Sequence, residues 1–119
     1  MAIDFEQIEA LSEKVFEKVK SYREHLHSHP ELSYKEYNSS KFVAETLTNL
    51  GIESSFIGET GVMAVISANH HEENTPCIAL RADLDALPIQ EQNEVSYKSK
   101  NEGVMHACGH DVHTSILLG

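Results

Sequence analysis

Apolar residues in the first quarter of the chain recur at spacings of three and four, with Glu and Lys between them. This is the period of an amphipathic helix with one buried face. The apolar positions are Phe5, Ile8, Leu11, Val15, Val19, Tyr22 and Leu26. Because proline cannot continue a helix, the pattern predicts one long helix that ends before Pro30.

A second helix is predicted immediately downstream. Ser33 and Glu36 have the spacing of a capping box, in which each side chain bonds a free N–H of the first turn. Gly51 stands where a left-handed C-terminal cap belongs. The predicted apolar face contains Ser40, Val43, Leu47 and Leu50.

Three short apolar runs predict strands at 53–57, 62–67 and 77–81, with a turn at 58–61 between the first two. The third run begins at Cys77, which we expect to be a small buried residue of a central strand. The polar segment 68–76 reads as a loop tip, so its histidines, His70 and His71, are expected to be solvated.

A polar stretch at 90–102 predicts a long loop, and a final helix is expected at 112–118, capped by Asp111. Helices that flank three strands in this order predict an α/β layered structure with a mixed sheet.

Composition narrows the classes of function. A chain of 119 residues is long enough for one small domain. The net charge of −10 argues against a nucleic-acid partner, which needs a basic surface. No apolar run approaches the roughly 20 residues that span a bilayer, and the N-terminus lacks a signal pattern, so we expect a cytoplasmic protein without membrane contacts. Two cysteines are too few for a disulfide framework.

The segment 103–119 concentrates side chains that bind metals. Cys108 and His110 stand two residues apart, with His106, Asp111 and His113 around them. A thiolate and imidazoles suit borderline divalent ions such as zinc, manganese, cobalt or nickel. The alternative is a structural turn with a buried thiol. Two ligands do not complete a metal site, because a catalytic zinc site has three protein ligands and a structural site four.

Two further groups of residues are weaker candidates. Asp83 and Asp85 follow the predicted third strand and would point the same way, so both could face one site and orient a metal ligand. Taken alone, the Asp-x-Asp pattern is weak, and it favours the alternative of a polar strand end with a helix or turn cap. His25, His27 and His29 do not share one face of a helix, so they predict hydrogen bonds near a helix C-terminus rather than a three-histidine metal site.

Four blocks carry a family resemblance: REHLHSHPELS at 23–33, GVMAVI at 61–66, IALRADLDALPI at 78–89 and MHACGHDVHT at 105–114. Together they closely resemble the N-terminal part of the metal-dependent amidohydrolases related to hippurate hydrolase, N-acyl-amino-acid deacylases and indole-acetyl-amino-acid hydrolases. These enzymes belong to the aminoacylase–carboxypeptidase superfamily, which uses two co-catalytic metal ions. The resemblance covers the chain from about Tyr22 onward.

The resemblance implies roles for single residues. Cys108 and His110 correspond to metal ligands, and Asp85 takes the position of the catalytic Asp that orients the site. Asp83 stands where the wider superfamily has a metal-binding His. In relatives the other ligands and the general base, a Glu of a Glu-Glu pair, come later in the chain. We therefore expect residues 1–119 to be the N-terminal portion of a helix-flanked, mixed-sheet catalytic domain. This portion contains neither the small inserted domain nor the rest of the catalytic domain.

The expected activity of the parent enzyme is metal-dependent hydrolysis of the amide bond of N-acyl amino acids or related small amides, with two divalent ions (Mn, Zn, Co or Ni). The resemblance also implies a homo-oligomeric parent, and the chain alone is expected to be inactive. Two alternatives stay open: a metallocarboxypeptidase or dipeptidase of the same superfamily, and a non-catalytic metal-binding or interaction module.

Overall fold

The structure is a computed structural model that describes residues 4–67 and 74–119. His70 and His71, predicted to be solvated, lie outside the described residues. The elements in chain order are α1 (Phe5–Ser28), α2 (Tyr37–Asn49), β1 (Ser54–Ile57), β2 (Gly61–Ala64) and α3 (His110–Leu118). The helix-flanked α/β class is confirmed, although the sheet within the described ranges has two strands and is antiparallel rather than mixed.

The long helix α1 forms as predicted and ends two residues before Pro30. The Asp4 side chain caps it by accepting the N–H of Gln7 at 3.2 Å. The expected continuous buried face is wrong for the first half of the helix, since Phe5 is 75% exposed while Leu26 is 2% exposed. The reason is that α3 packs against the C-terminal half of α1. The core therefore lies at the end of α1 that carries the histidines.

The second helix forms, but the predicted capping box does not. Glu36 is the N-cap residue and its side chain makes no capping hydrogen bond. Tyr34 takes a positive φ of 63°, which turns the chain and separates Ser33 from the helix. The Glu31 carboxylate satisfies the first turn instead, accepting from the N–H and the hydroxyl of Ser39 at 2.7 and 2.8 Å. A carboxylate at this position also complements the helix dipole.

The C-terminal cap of α2 is confirmed. Gly51 has a φ of 76°, which glycine adopts without steric cost. Beyond it, the N–H of Ile52 donates to the carbonyl of Leu47 at 2.9 Å, as in a Schellman motif. Of the predicted apolar face, Ser40 and Val43 are buried, whereas Leu50 is 50% exposed.

The first two predicted strands form the hairpin β1–β2, in which Ser54 pairs with Ala64 and Ile57 with Gly61. The predicted third strand, 77–81, is wrong: these residues form no strand, Cys77 is exposed and Ile78 is 85% exposed. A strand is stabilised by its ladder, and no strand in the described part of the chain lies alongside 77–81.

The segment 90–102 is a loop, as predicted. The expected cap of α3 is wrong, because Gly109 is the N-cap residue and Asp111 lies within the first turn. Asp111 is 1% exposed, and its carboxylate is directed at α1 rather than at its own helix end. Among the residues that the structure describes, no helix has the length and apolar character needed to cross a membrane.

Candidate metal centre

The turn that precedes α3 brings His110 to the two aspartates predicted to face one site. The Nδ1 of His110 lies 2.9 Å from Asp85 Oδ1 and 3.0 Å from the Asp85 carbonyl oxygen. Both neighbours are acceptors, so Nδ1 carries the proton and donates to Asp85. The opposite nitrogen, Nε2, is left with its lone pair and lies 4.0 Å from Asp83 Oδ2. This tautomer is the one in which Nε2 can bind a metal ion.

Hydrogen bonds fix the segment that carries the aspartates, although it is not a strand. Thr114 on α3 donates its hydroxyl to the Asp83 carbonyl at 2.8 Å. The Ala86 N–H donates to the Glu31 carbonyl at 2.8 Å. Leu87 and Met105 exchange two backbone hydrogen bonds of 2.9 and 3.0 Å. Asp83 and Asp85 are therefore held between the end of α1, the 103–109 turn and α3.

Cys108 precedes the αL residue Gly109, and its thiol is exposed and unpaired with Cys77. An exposed thiol next to an imidazole with a free Nε2 is chemically suited to zinc, cobalt or a similar ion. The Asp85–His110 contact matches the carboxylate–histidine arrangement that orients metal-bound histidines. The side chains of Cys108 and His110 thus have the chemistry of part of a metal site. Within residues 4–67 and 74–119, no group of three or more His, Cys, Asp or Glu side chains could hold a metal ion.

A cluster of charged side chains joins the C-terminal half of α1, the loop at 90–102 and the first turn of α3. His27 places Nδ1 2.8 Å from Asp111 Oδ2 and Nε2 2.9 Å from Glu91 Oε1. The exposed fractions of His27, Glu91 and Asp111 are 3%, 2% and 1%. Arg23 donates its Nε–H to the same Asp111 oxygen at 3.0 Å and lies 4.8 Å from the ring centre of Tyr97. We call Arg23, His27, Glu91 and Asp111 the buried charge cluster.

Glu91 is also bonded to its own loop. Its Oε2 accepts the N–H of Ser99 at 2.6 Å, and Oε1 accepts from the Asn93 side chain at 3.3 Å. Burial by itself raises the pKa of Glu91, but the hydrogen bonds from Ser99, His27 and Asn93 outweigh it and leave the pKa below its ordinary value. Glu91 is therefore held as a carboxylate.

His106 lies beside this cluster and behaves differently. His106 is 5% exposed, and neither of its ring nitrogens has a hydrogen-bond partner among the residues that the structure describes. Burial lowers the pKa of His106; Asp111 acts in the opposite direction, and His27 and His110 lower it further. The ring lines a cavity of about 270 Å³ together with His27, Glu91, Tyr97 and Asp111. The structure does not bring His106 to the His110–Asp85 pair by any hydrogen bond.

The three N-terminal histidines separate as predicted from their spacing. His25 and His29 stack with ring centres 4.7 Å apart, while His27 points to the buried charge cluster. His29 donates Nδ1–H to the His25 carbonyl at 2.8 Å, which satisfies a helix-end acceptor. His113 lies next to His110, with ring centres 6.1 Å apart.

Sequence reasoning missed Glu91 as a site residue and assigned Asp111 only to a helix cap. Glu91 stands in a polar loop, where a solvated carboxylate is the normal expectation, so no local signal marked its burial.

Comparisons with known proteins agree with this geometry. The model of peptidase family M20/M25/M40 matches residues 79–119, which contain Asp83, Asp85, Cys108 and His110. The structure of the Bacillus subtilis YXEP protein, described as a dinuclear metal-binding peptidase from the M20 family, matches with a TM-score of 0.81 and 42% identity. That match covers 89% of this chain and 30% of that protein. Residues 79–119 are therefore similar to peptidase family M20/M25/M40.

Two of the similar proteins are enzymes by name. The N-acyl-L-amino acid amidohydrolase of Geobacillus stearothermophilus is 49% identical over 115 residues, covering 96% of this chain and 30% of the relative. Thermostable carboxypeptidase 1 of Saccharolobus solfataricus is 52% identical over 100 residues, covering 82% of this chain and 24% of the relative. The chain spans less than a third of the length of the curated relatives that it matches.

Proposed function

We propose that residues 1–119 are the N-terminal portion of the catalytic domain of a metal-dependent amidohydrolase that cleaves the amide bond of N-acyl amino acids. The observation that carries the proposal is the contact between Asp85 and His110, which leaves Nε2 of His110 with its lone pair. The exposed thiol of Cys108 stands two residues earlier in the chain. The 49% identity to an N-acyl-L-amino acid amidohydrolase supports this substrate class.

In this proposal Cys108, as a thiolate, and His110, through Nε2, are metal ligands. Asp85 accepts the Nδ1–H of His110, which fixes the ring orientation and raises the basicity of the ligating nitrogen. When bound, a pair of divalent ions (Mn, Zn, Co or Ni) would polarise the scissile carbonyl and lower the pKa of a water molecule toward neutrality. The general base and the other ligands come from the remainder of the catalytic domain, so residues 1–119 alone have no turnover.

The setting of the parent enzyme is part of the same proposal. We place it in the cytoplasm as a homo-oligomer that acts on small molecules and binds neither nucleic acid nor membranes. The acidic surface, with a net charge of −10, supports the exclusion of nucleic acid.

The test uses the full-length protein with Cys108→Ala and His110→Ala. Both variants are expected to lose bound metal, measured by elemental analysis, and to lose hydrolysis of acetyl- and benzoyl-amino acids. Cys77→Ala is the matched control, because Cys77 is also an exposed free cysteine but lies away from the turn. Full deacylase activity in the Cys108 and His110 variants would refute the assignment.

A carboxypeptidase is the second candidate, favoured by the 52% identity to thermostable carboxypeptidase 1. A panel that compares acyl-amino acids with dipeptides and longer peptides separates the two activities. Preference for peptides with a free C-terminus would select the carboxypeptidase.

A further inference from the structure

His27 joins two segments of the molecule that are far apart in sequence. Asp111, 84 residues away, is the second residue of α3, and Glu91, 64 residues away, belongs to the loop at 90–102. Each ring nitrogen of His27 faces one carboxylate oxygen, at 2.8 and 2.9 Å. The imidazole therefore bridges the loop and the first turn of α3 from the end of α1.

Other donors hold the two carboxylates in place. Asp111 accepts from Arg23 at 3.0 Å, and Glu91 accepts from the Ser99 N–H at 2.6 Å. The His27 ring is therefore held between two carboxylates that are themselves fixed by further hydrogen bonds.

Asp111 directly follows His110, and Gly109 separates His110 from Cys108. The position of Asp111 therefore sets the position of the helix start that carries both proposed ligands. The Asp111 carbonyl is also bonded, since the Ser115 hydroxyl donates to it at 2.6 Å. Within the described contacts, no residue of the buried charge cluster forms a hydrogen bond with Asp83, Asp85 or the His110 side chain.

We propose that His27 is a positioning residue for the metal-binding turn: by bridging Glu91 and Asp111 it holds the first turn of α3 in the orientation that presents Cys108 and His110 to metal. This inference rests on the proposed function. Residues that orient metal ligands from behind typically change metal affinity or activity by about 10- to 100-fold when substituted.

The experiment compares His27→Gln with wild type in the full-length protein, using Co²⁺ as the probe. Glutamine has a single terminal amide in place of a ring with nitrogens on two sides, so it cannot contact both carboxylates. The bridge is then lost while a polar side chain remains. We expect the affinity for Co²⁺ to fall about 10- to 100-fold and the thiolate-to-cobalt absorption of Cys108 to change in shape and intensity. Activity should fall through kcat more than through KM, because the substitution leaves substrate contacts in place.

Val43→Ala is the matched control. Val43 is buried in α2 at 8% exposure, so its truncation lowers stability without touching the buried charge cluster. If His27 is merely structural, the folded fraction of His27→Gln will bind Co²⁺ with wild-type affinity and spectrum, as Val43→Ala does, and the proposal is overturned. Should His27→Gln fail to fold, the folded fraction of Glu91→Gln, which keeps the shape of the side chain but is less stable, is measured in the same way and must show the same loss of affinity.

A second readout is independent of metal. In wild-type protein without added metal, ¹⁵N NMR of the histidine rings should show both ring nitrogens of His27 in hydrogen bonds to carboxylates. A His27 ring nitrogen without such a hydrogen bond would overturn the bridge. If wild-type protein binds no Co²⁺ and hydrolyses no acyl-amino acid, the proposed function fails. Normal wild-type behaviour with an unaffected His27→Gln refutes only the role of His27.

Discussion

Asp85 holds His110 at two points, since the carboxylate and the backbone carbonyl of Asp85 lie 2.9 and 3.0 Å from the same Nδ1 atom. The double contact fixes both the tautomer and the direction of the ring. His110 is 20% exposed at its side chain, so it is open enough to meet a metal ion yet cannot rotate freely.

Replacing the Asp85 carboxylate should weaken this orientation. In Asp85→Asn the backbone carbonyl still accepts from Nδ1, but the charge that increases the basicity of Nε2 is gone. We expect metal affinity and kcat/KM to fall about 10- to 100-fold, with a larger loss in Asp85→Ala. Calorimetric titration with Zn²⁺ and steady-state kinetics of the full-length protein measure both quantities.

Glu45→Gln is the control for this substitution, because Glu45 is an exposed carboxylate on α2 whose only role in the described contacts is a 3.8 Å pair with Lys41. Glu45→Gln should leave metal affinity and kcat/KM nearly unchanged, because surface ion pairs contribute little. Unchanged metal affinity in Asp85→Asn would show that the contact to His110 has no effect on ligation.

Glu91→Gln should be strongly destabilising. The substitution removes the buried carboxylate that contacts His27 and Ser99. Breaking a buried pair in this way typically costs about 3–5 kcal/mol in the free energy of unfolding. Chemical denaturation of the full-length protein measures the loss. Glu94→Gln, an exposed position in the same loop, should change stability little, and equal effects of the two substitutions would contradict the importance of burial.

The lowered pKa values of Glu31 and Glu91 predict how the stability of the fold depends on pH. Burial alone would raise the pKa of Glu31 and of Glu91, but hydrogen bonds from Ser39 and Asn38, and from Ser99, His27 and Asn93, leave both below the ordinary value of 4.5. A carboxyl whose folded-state pKa is lowered stabilises the fold above its unfolded-state pKa. That contribution is lost as the pH falls through the folded-state pKa.

These two groups should therefore leave the free energy of unfolding constant between neutral pH and about pH 4.5. At lower pH the free energy of unfolding should decrease, because both carboxylates take up protons. In the double variant Glu31→Gln/Glu91→Gln the acid limb of the curve should be shallower, because neither amide takes up a proton. Denaturation curves at a series of pH values test this. Wild-type and variant curves that run parallel through the acid range would rule out the two carboxylates as its source.

The parts of the fold that sequence predicted correctly depend on local periodicity and on backbone geometry. Helix α1 follows from its three- and four-residue spacing, and the end of α2 follows from the positive φ that Gly51 allows. The proximity of Asp83 and Asp85 to His110 agrees with the resemblance, whereas the strand that the argument from alternate residues required does not form.

The wrong predictions share a different cause, which is competition from distant residues. Ser33 has the correct spacing for a capping box, but Glu31 reaches the first turn of α2 instead. The run 77–81 has strand composition but no neighbour in the described residues to pair with. Asp111 has the chemistry of a cap, yet its carboxylate is used by Arg23 and His27. No local window of sequence contains these partners.

Gly109→Ala tests how the backbone conformation of the turn before α3 affects stability and metal binding. Gly109 has a φ of 92°, and no atom lies within 4 Å of the place where a Cβ would stand, so the substitution adds backbone strain without a clash. Gly51→Ala is matched in both respects, with a φ of 76° and open space, but lies at the end of α2. Each should lose about 1–2 kcal/mol of stability, the cost of a left-handed conformation for an L-residue. Only Gly109→Ala should also weaken metal binding, because relief of its strain moves Cys108 relative to His110. Calorimetry on both variants decides this, and equal metal affinities in the two would show that the conformation of Gly109 does not control the ligands.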